Sequence, residues 1–401
     1  MNGTSHHQIV IIGGGTGGIA VAARLQRALA SADIAIIEPS ECHYYQPGWT
    51  LVGGGIIDKE FTLRSTAELI PHGVQWIRDA VTDIRPDSNQ IVTQSGATIN
   101  YDYLITAAGI QINWGAVKGL PETLGKNGVC SIYDYRCSET TWQMINGFKG
   151  GTALFTQPKP PFKCPGAAQK IMYLADDAFR RNRVRDSSQV LFRSAAPGIF
   201  PVKKYADTLN QVIARKGLQV KFQHHLIEVR ADSCEAIIEN IADGAQEIIN
   251  YDLLHVTPPM GAPDFLKRSP LADAAGWVDV HKHTLQHVRY PNVFGLGDCT
   301  NTPNSKTAAA IRRQMPVLVK NLLAVMRNGT ATEHYNGYAS CPLITGYGKL
   351  VLAEFDYDMK PMETFPFDQG KERLSMYWLK RYILPPFYWY GLLKGHTLGG
   401  E

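Results

Sequence analysis

Gln8-Ile9-Val10-Ile11-Ile12-Gly13-Gly14-Gly15-Thr16-Gly17-Gly18 reads as a short buried strand running into a glycine-rich turn, and a helical pattern follows it to about Ala30. A second apolar strand, Ile34 to Ile37, ends at Glu38, 20 residues after the last glycine. This is the opening of a βαβ unit with G-x-G-x-x-G at Gly13, Gly15 and Gly18. Gly13 allows the tight turn, Gly15 lets a pyrophosphate approach the backbone, and Gly18 lets helix and strand pack closely. The phosphates then meet the helix N-terminus, and Glu38 can accept from a ribose hydroxyl. Strand, turn, helix and acid agree on a dinucleotide.

The 401 residues suggest two to three domains. With 44% hydrophobic and 19% charged residues the chain is an ordinary globular one, which excludes disorder, collagen and a small disulfide scaffold. A net charge of +4 is too weak to argue for nucleic acid. No run of 18 apolar residues exists to span a membrane as a helix. Met1 to Gln8 is too short for a secretory or transit signal, so the expectation is a chain made in the cytoplasm or already processed. The seven cysteines form no CxxC pair and lie at no metal-ligand spacing, so no metal is expected. Their odd number leaves room for reactive thiols.

Two later segments, Tyr101-Asp102-Tyr103-Leu104-Ile105-Thr106-Ala107-Ala108-Gly109 and Val293-Phe294-Gly295-Leu296-Gly297-Asp298, resemble motifs of the two-dinucleotide-fold flavoproteins of the glutathione reductase-like class. The resemblance implies that Asp298 binds the ribityl chain of FAD. It also implies that the next helix, from Ser305-Lys306-Thr307 to about Met326 with a kink at Pro316, points at the isoalloxazine. The positive end of that helix, with Lys306, is expected to stabilise a reduced flavin. Such proteins carry a second βαβ for NAD(P)H. Here the strand Gly151-Thr152-Ala153-Leu154-Phe155-Thr156 leads into Gln157-Pro158-Lys159-Pro160-Pro161-Phe162-Lys163-Cys164-Pro165-Gly166. Proline offers no N–H and fills the space a pyrophosphate needs, so the second domain keeps its scaffold and loses its nucleotide.

Cys164 takes that place, at a helix N-terminus and beside Lys163, both of which favour thiolate. A two-electron thiol needs a second sulfur from distant sequence, and Cys341, in a loop-like setting before Pro342, is the candidate. From Lys371 to Lys394 five Lys/Arg face one acid, Glu372, among Trp378, Tyr382, Ile383, Phe387, Tyr388, Trp389 and Tyr390. That composition fits a segment lying in a membrane headgroup plane, and hence an electron acceptor in the bilayer.

At this point the chain resembles the sulfide:quinone oxidoreductases, in particular the branch that includes the mitochondrial enzyme of animals. The resemblance rests on His43-Tyr44-Tyr45-Gln46-Pro47, Pro161 to Leu174, Ser305 to Ala310, Cys341 to Tyr347 and Ala353 to Tyr357. It implies a redox pair Cys164–Cys341, with a third cysteine of other branches falling near Cys130. Cys42, Cys137, Cys234 and Cys299 are expected to be buried structural thiols. FAD is then held by Gly13, Gly15, Thr16, Gly17, Gly18, Glu38, Gln46, Ala108, Gly109, Gly297, Asp298, Lys306 and Thr307. Lys170, Tyr347 and Lys380 line the active site or quinone entrance. The implied partners are hydrogen sulfide, a quinone (ubiquinone, plastoquinone or menaquinone) and a small sulfane-sulfur acceptor such as sulfite, glutathione, coenzyme A or polysulfide. A dimer or trimer at the bacterial inner membrane surface is expected.

The expected architecture is α/β, two doubly wound Rossmann-like domains plus an amphipathic tail. Residues 1–115 and 251–330 form the FAD domain, 116–250 the second domain, and 331–401 the region of the second cysteine and tail. Three rivals stay open: a membrane NADH:quinone oxidoreductase, an enzyme passing sulfide electrons to a cytochrome subunit, and a flavin and thiol redox sensor without turnover.

Overall fold

The computed structural model describes residues 3–398; residues 1–2 and 399–401, the ends of the first and last expected segments, lie outside the described residues. The first sheet is ordered Val74–Ile77, Ile34–Ile37, Thr4–Ile12, Thr98–Thr106, Gln90–Thr93, Val81–Arg85, with Val293–Gly295 also paired to Thr98–Thr106. Its central strands are parallel, Ile9 facing Ile34 on one side and Tyr103 on the other. Ile9 to Ile12 are at most 3% exposed, because helices and loops cover both faces of a parallel sheet. Helix Thr16–Ala28 lies against helix Ala308–Met326, which runs on through Pro316 and is capped by the Thr307 hydroxyl accepting from Ala310 N–H. At Gly18 a Cβ would stand 1.9 Å from the Gly13 carbonyl oxygen, so the motif's third glycine is a steric necessity.

The second sheet is all parallel, ordered Val129–Cys130, Leu253–Val256, Gly151–Gln157, Ser188–Ser194, Gln219–Phe222. It reaches past the expected border at 250. The chain leaves it for an antiparallel meander, His224–Arg230, Glu235–Asn240 and Gln246–Asn250, and returns to fill its second position. Helix Ala167–Arg181 is buried on nearly every side, because the sheet covers one face and the hairpin Ala339–Gly346/Lys349–Phe355 covers another.

The C-terminal segment is helix Leu374–Trp378, a wider π turn Leu379–Ile383, and helix Leu384–Tyr390, which opens on Pro385 and Pro386. It is not a detached strip. Met376, Lys380, Tyr388, Trp389, Leu392 and Leu393 are buried, the last four in the same apolar cluster as helix Thr16–Ala28. Leu374, Trp378, Tyr382, Ile383 and Tyr390 on the other side are 50–67% exposed. Among the described residues no helix is long and apolar enough to cross a membrane.

Candidate functional site

Cys164 sits in the proline-rich turn between strand Gly151–Gln157 and helix Ala167–Arg181, with φ of 50°, a left-handed conformation unusual for a residue with a Cβ. Its N–H donates to the Lys306 carbonyl (2.9 Å) and its carbonyl accepts from Ala167 N–H (2.8 Å). The turn is therefore tied both to the helix it starts and to the loop before helix Ala308–Met326. Cys341, expected in a loop, lies inside strand Ala339–Gly346, 1% exposed. The following Pro342 is tolerated because this sheet has two strands, leaving an edge that needs no N–H. A Cβ on Gly166 would stand 2.6 Å from the Cys341 sulfur, so a glycine there lets the two segments close on each other.

Both cysteines are free thiols within hydrogen-bonding reach of one another. The Lys170 ammonium, 3% exposed, donates to the Cys164 sulfur at 3.3 Å. The hydrogen bond from Cys341, then the nearby Lys170, hold Cys164 well below the usual thiol range against the opposing effect of burial. Cys341 moves the opposite way, because it donates that hydrogen bond and is buried. The cation expected at Lys163 is thus Lys170. The Lys163 ammonium instead donates to Gln46 Oε1 (2.5 Å) and stands over the Trp49 ring.

Lys380, from the π turn of the tail, donates to the Pro47 carbonyl (2.9 Å). Burial, then the charge of Lys170, push its ammonium down to about 7, although both sulfurs oppose the shift. Tyr347 is not brought to the sulfurs: its hydroxyl donates to the Gly54 carbonyl (2.7 Å) and its ring lies under Arg181. Cys130 is also placed elsewhere. It is a buried strand residue beside Thr141 and Cys137, and burial pushes its thiol up to about 12. Cys299 is buried as expected, but Cys42 is exposed and Cys137 and Cys234 are half-buried.

The dinucleotide side is built around the first glycine turn. Glu38 Oε2 accepts from Gly14 N–H (2.7 Å) and Oε1 from Ser40 N–H (2.8 Å). Each oxygen keeps acceptor capacity for a ribose hydroxyl. No heavy atom lies within 4 Å of where a Cβ on Gly15 or Gly109 would sit, the open approach a pyrophosphate and a flavin need. Gly17 and Gly18 are buried in the first turn of helix Thr16–Ala28, and Ala108 follows the central strand at the same edge. Gly297 N–H donates to Gln314 Oε1 (2.8 Å), fixing the turn that carries Asp298. The Lys306 ammonium donates to the Asp298 and Thr300 carbonyls (2.8 and 2.9 Å) and stacks on Trp277. It braces that turn, whereas the sequence suggested a charge aimed at the flavin; Thr307 supplies the helix cap.

Sequence reasoning missed a buried polar chain that joins the tail to the glycine turn. His43 Nδ1 lies 3.1 Å from the Gly14 carbonyl and Nε2 2.7 Å from the Tyr388 hydroxyl, which is 2.8 Å from Thr16 Oγ1. Burial pushes the imidazole down to about 4, so it is neutral. A carbonyl only accepts, so Nδ1 carries the proton, Nε2 accepts from Tyr388, and Tyr388 accepts from Thr16. The one hint was His43 itself, inside an otherwise aromatic string; no spacing rule links it to Tyr388.

The model of the pyridine nucleotide-disulphide oxidoreductase family matches residues 7–137. The mouse mitochondrial sulfide:quinone oxidoreductase is 50% identical over 98% of this chain and 88% of its own length. The mitochondrial sulfide:quinone oxidoreductase of Dictyostelium discoideum is 46% identical over 98% of this chain and 87% of its own. Among solved structures, the sulfide:quinone oxidoreductase of the hyperthermophilic bacterium Aquifex aeolicus superimposes with a TM-score of 0.84 at 19% identity, covering 99% of this chain and 93% of that one, a likeness of fold. The chain belongs to the sulfide:quinone oxidoreductases, a family of FAD-dependent oxidoreductases.

Proposed function

We propose that this chain oxidises hydrogen sulfide at Cys164 and Cys341 and delivers the electron pair to a membrane quinone. The observation that carries the reading is the meeting of two sequence-distant sulfurs under one buried ammonium. When bound, FAD supplies the two-electron carrier between the sulfur side and the quinone side. Its pyrophosphate fits the Gly13–Gly18 turn, its ribose Glu38 and its ribityl chain Asp298, with Gln46, Ala108, Gly109, Gly297 and Thr307 around it.

In the oxidised protein the two sulfurs are joined, and hydrosulfide attacks one of them. The lower-pKa thiol is the better leaving group, and here that is Cys164, whose thiolate Lys170 neutralises. Attack therefore falls on Cys341, which becomes the persulfide. A small nucleophile, such as sulfite or a thiol, then removes the outer sulfur and frees the Cys341 thiolate, and Cys164 and Cys341 re-form their S–S bond by giving up the two electrons that quinone finally takes. Quinone reduction consumes two protons, and Lys380, charged below about 7 and neutral above it, is suited to relay one. The exposed face of Leu374, Trp378, Tyr382, Ile383 and Tyr390, beside Arg381, fits a headgroup plane and holds the protein at the bilayer surface that stores the quinone. The surface proposed is the bacterial inner membrane; fractionation of source cells separates it from the mitochondrial location in the names of the relatives.

Cys164→Ser and Cys341→Ser should each lower sulfide-dependent quinone reduction by at least about 100-fold with FAD still bound; near wild-type turnover in either variant would exclude the dithiol route. With flavin reduced in advance, quinone reduction should fall as pH rises through about 7, and Lys380→Met should remove that inflection. Tyr388→Phe removes both hydrogen bonds of the Tyr388 hydroxyl, to His43 Nε2 and from Thr16 Oγ1, and strands His43 Nε2. Flavin fluorescence should then report FAD release about 10-fold faster. Trp378, Tyr382 and Ile383 all changed to Ser should abolish flotation with lipid vesicles while sulfide still bleaches the flavin; undiminished flotation would place the membrane contact elsewhere.

A further inference from the structure

Three buried side chains at the carboxyl edge of the second sheet have polar atoms that the described residues do not fully satisfy: Gln157 Oε1 has no partner, and the Tyr133 and Thr257 hydroxyls have only each other, close but short of a well-formed hydrogen bond. They are 4%, 2% and 6% exposed. Gln157 closes strand Gly151–Gln157, and Thr257 follows strand Leu253–Val256, in which Val256 pairs with Thr156. Gln157 and Thr257 are thus the next neighbours in register and point to one face of the sheet. Tyr133 follows Val129–Cys130, the strand on the far side of Leu253–Val256. The Gln157 amide nitrogen donates to Ser194 Oγ (3.3 Å), which leaves Oε1 turned away from that bond. Tyr133 packs in the same cluster as Cys341, Phe162 and Ala167, and its hydroxyl is near enough to Cys164 and Cys341 to feel their charge.

One unsatisfied buried polar atom costs about 1–3 kcal/mol, so three together call for a small occupant. Open α/β sheets bind ligands outside the carboxyl ends of their strands, which is where these groups lie. Burial keeps the Tyr133 phenol protonated, and the Thr257 hydroxyl beside it can turn from the phenol oxygen to an occupant, so the set can offer two hydroxyl donors and one carbonyl acceptor. An oxyanion that only accepts would face Gln157 Oε1 unfavourably. Hydrosulfide accepts from both hydroxyls and donates its S–H to Gln157.

We propose that Tyr133, Thr257 and Gln157 form a niche that holds hydrosulfide beside the Cys164–Cys341 pair before attack. This rests on the sulfide reading above. The step it prepares balances without a further reactant: one S–S bond forms between hydrosulfide and Cys341 while the Cys341–Cys164 bond breaks. The incoming sulfur is oxidised, the cysteine pair is reduced, and Cys164 leaves as thiolate.

The test is steady-state kinetics of Tyr133→Phe and Thr257→Val, both close in shape to the native residue, with sulfide and decyl-ubiquinone. Each should raise KM for sulfide about 10-fold, leaving kcat, KM for quinone and the flavin spectrum unchanged. An unchanged sulfide KM in both variants, as for a niche that holds only water, would overturn the proposal, and so would a loss of kcat at constant KM. Sulfide bleaching of the wild-type flavin is measured alongside. If it is absent, the sulfide reading fails; if it is present with unaltered variants, the niche alone fails.

Discussion

A buried ammonium beside a buried sulfur is the contact on which the rest of the molecule turns. Lys170 is 3% exposed, and a cation so placed is costly unless an anion meets it. Its partner is Cys164, which the same contact helps to keep as thiolate. Satisfying that pair explains the odd local backbone: the left-handed Cys164, the glycine at 166, and a hairpin that brings Cys341 over the first turn of helix Ala167–Arg181. Two lysines approach this one thiolate, and their fates diverge. Lys170 keeps its charge because it touches the sulfur, while Lys380, repelled by Lys170 and also buried, is brought near neutrality. Environments that split like groups in this way separate a fixed charge from a titrating one.

The tail carries the second half of this division. Along one stretch, Lys380 and Tyr388 point into the protein while Trp378, Tyr382 and Tyr390 point out. The wider π turn at Leu379–Ile383 lies where the chain must bury a lysine between two outward-facing aromatic residues. Through Tyr388, His43 and Thr16 the tail reaches the glycine turn. The surface-facing helix and the cofactor turn are therefore one mechanical unit, and removing the tail outright would dismantle the flavin side along with any membrane contact.

Much of this was legible in the sequence where sterics leave a single solution. Gly18 is forced by the Gly13 carbonyl, and Glu38 by the end of its strand, so the first βαβ can be read directly. The prolines before Cys164 were equally plain, since a turn without N–H groups cannot hold phosphates. Less legible was anything that depends on where a turn becomes a helix. Lys163 adjoins Cys164 in sequence, but the turn sends it to Gln46, and Lys170, inside the helix, comes back onto the sulfur. Cys341 read as a loop because Pro342 follows it, and only the two-stranded sheet makes that proline harmless. Composition marked the tail as basic and aromatic but could not tell Tyr388 from Tyr390. The bends at Pro385 and the π turn break the helical period by which faces are assigned.

The second sheet shows how an old crevice takes new chemistry. Parallel strands and a helix N-terminus direct positive potential and ligand space to the same edge, whatever the ligand. In a nucleotide-binding domain the backbone N–H groups of the turn meet phosphates there. Here Pro158, Pro160, Pro161 and Pro165 remove donors from the turn, and the group that precedes the helix is a sulfur carried by the chain itself, held by Cys341 and Lys170. Once the anion is covalently attached, the edge no longer has to grip a large soluble ligand. Tyr133, Thr257 and Gln157 are the polar side chains left buried at that edge, where the prolines have taken the place of phosphate-binding N–H groups.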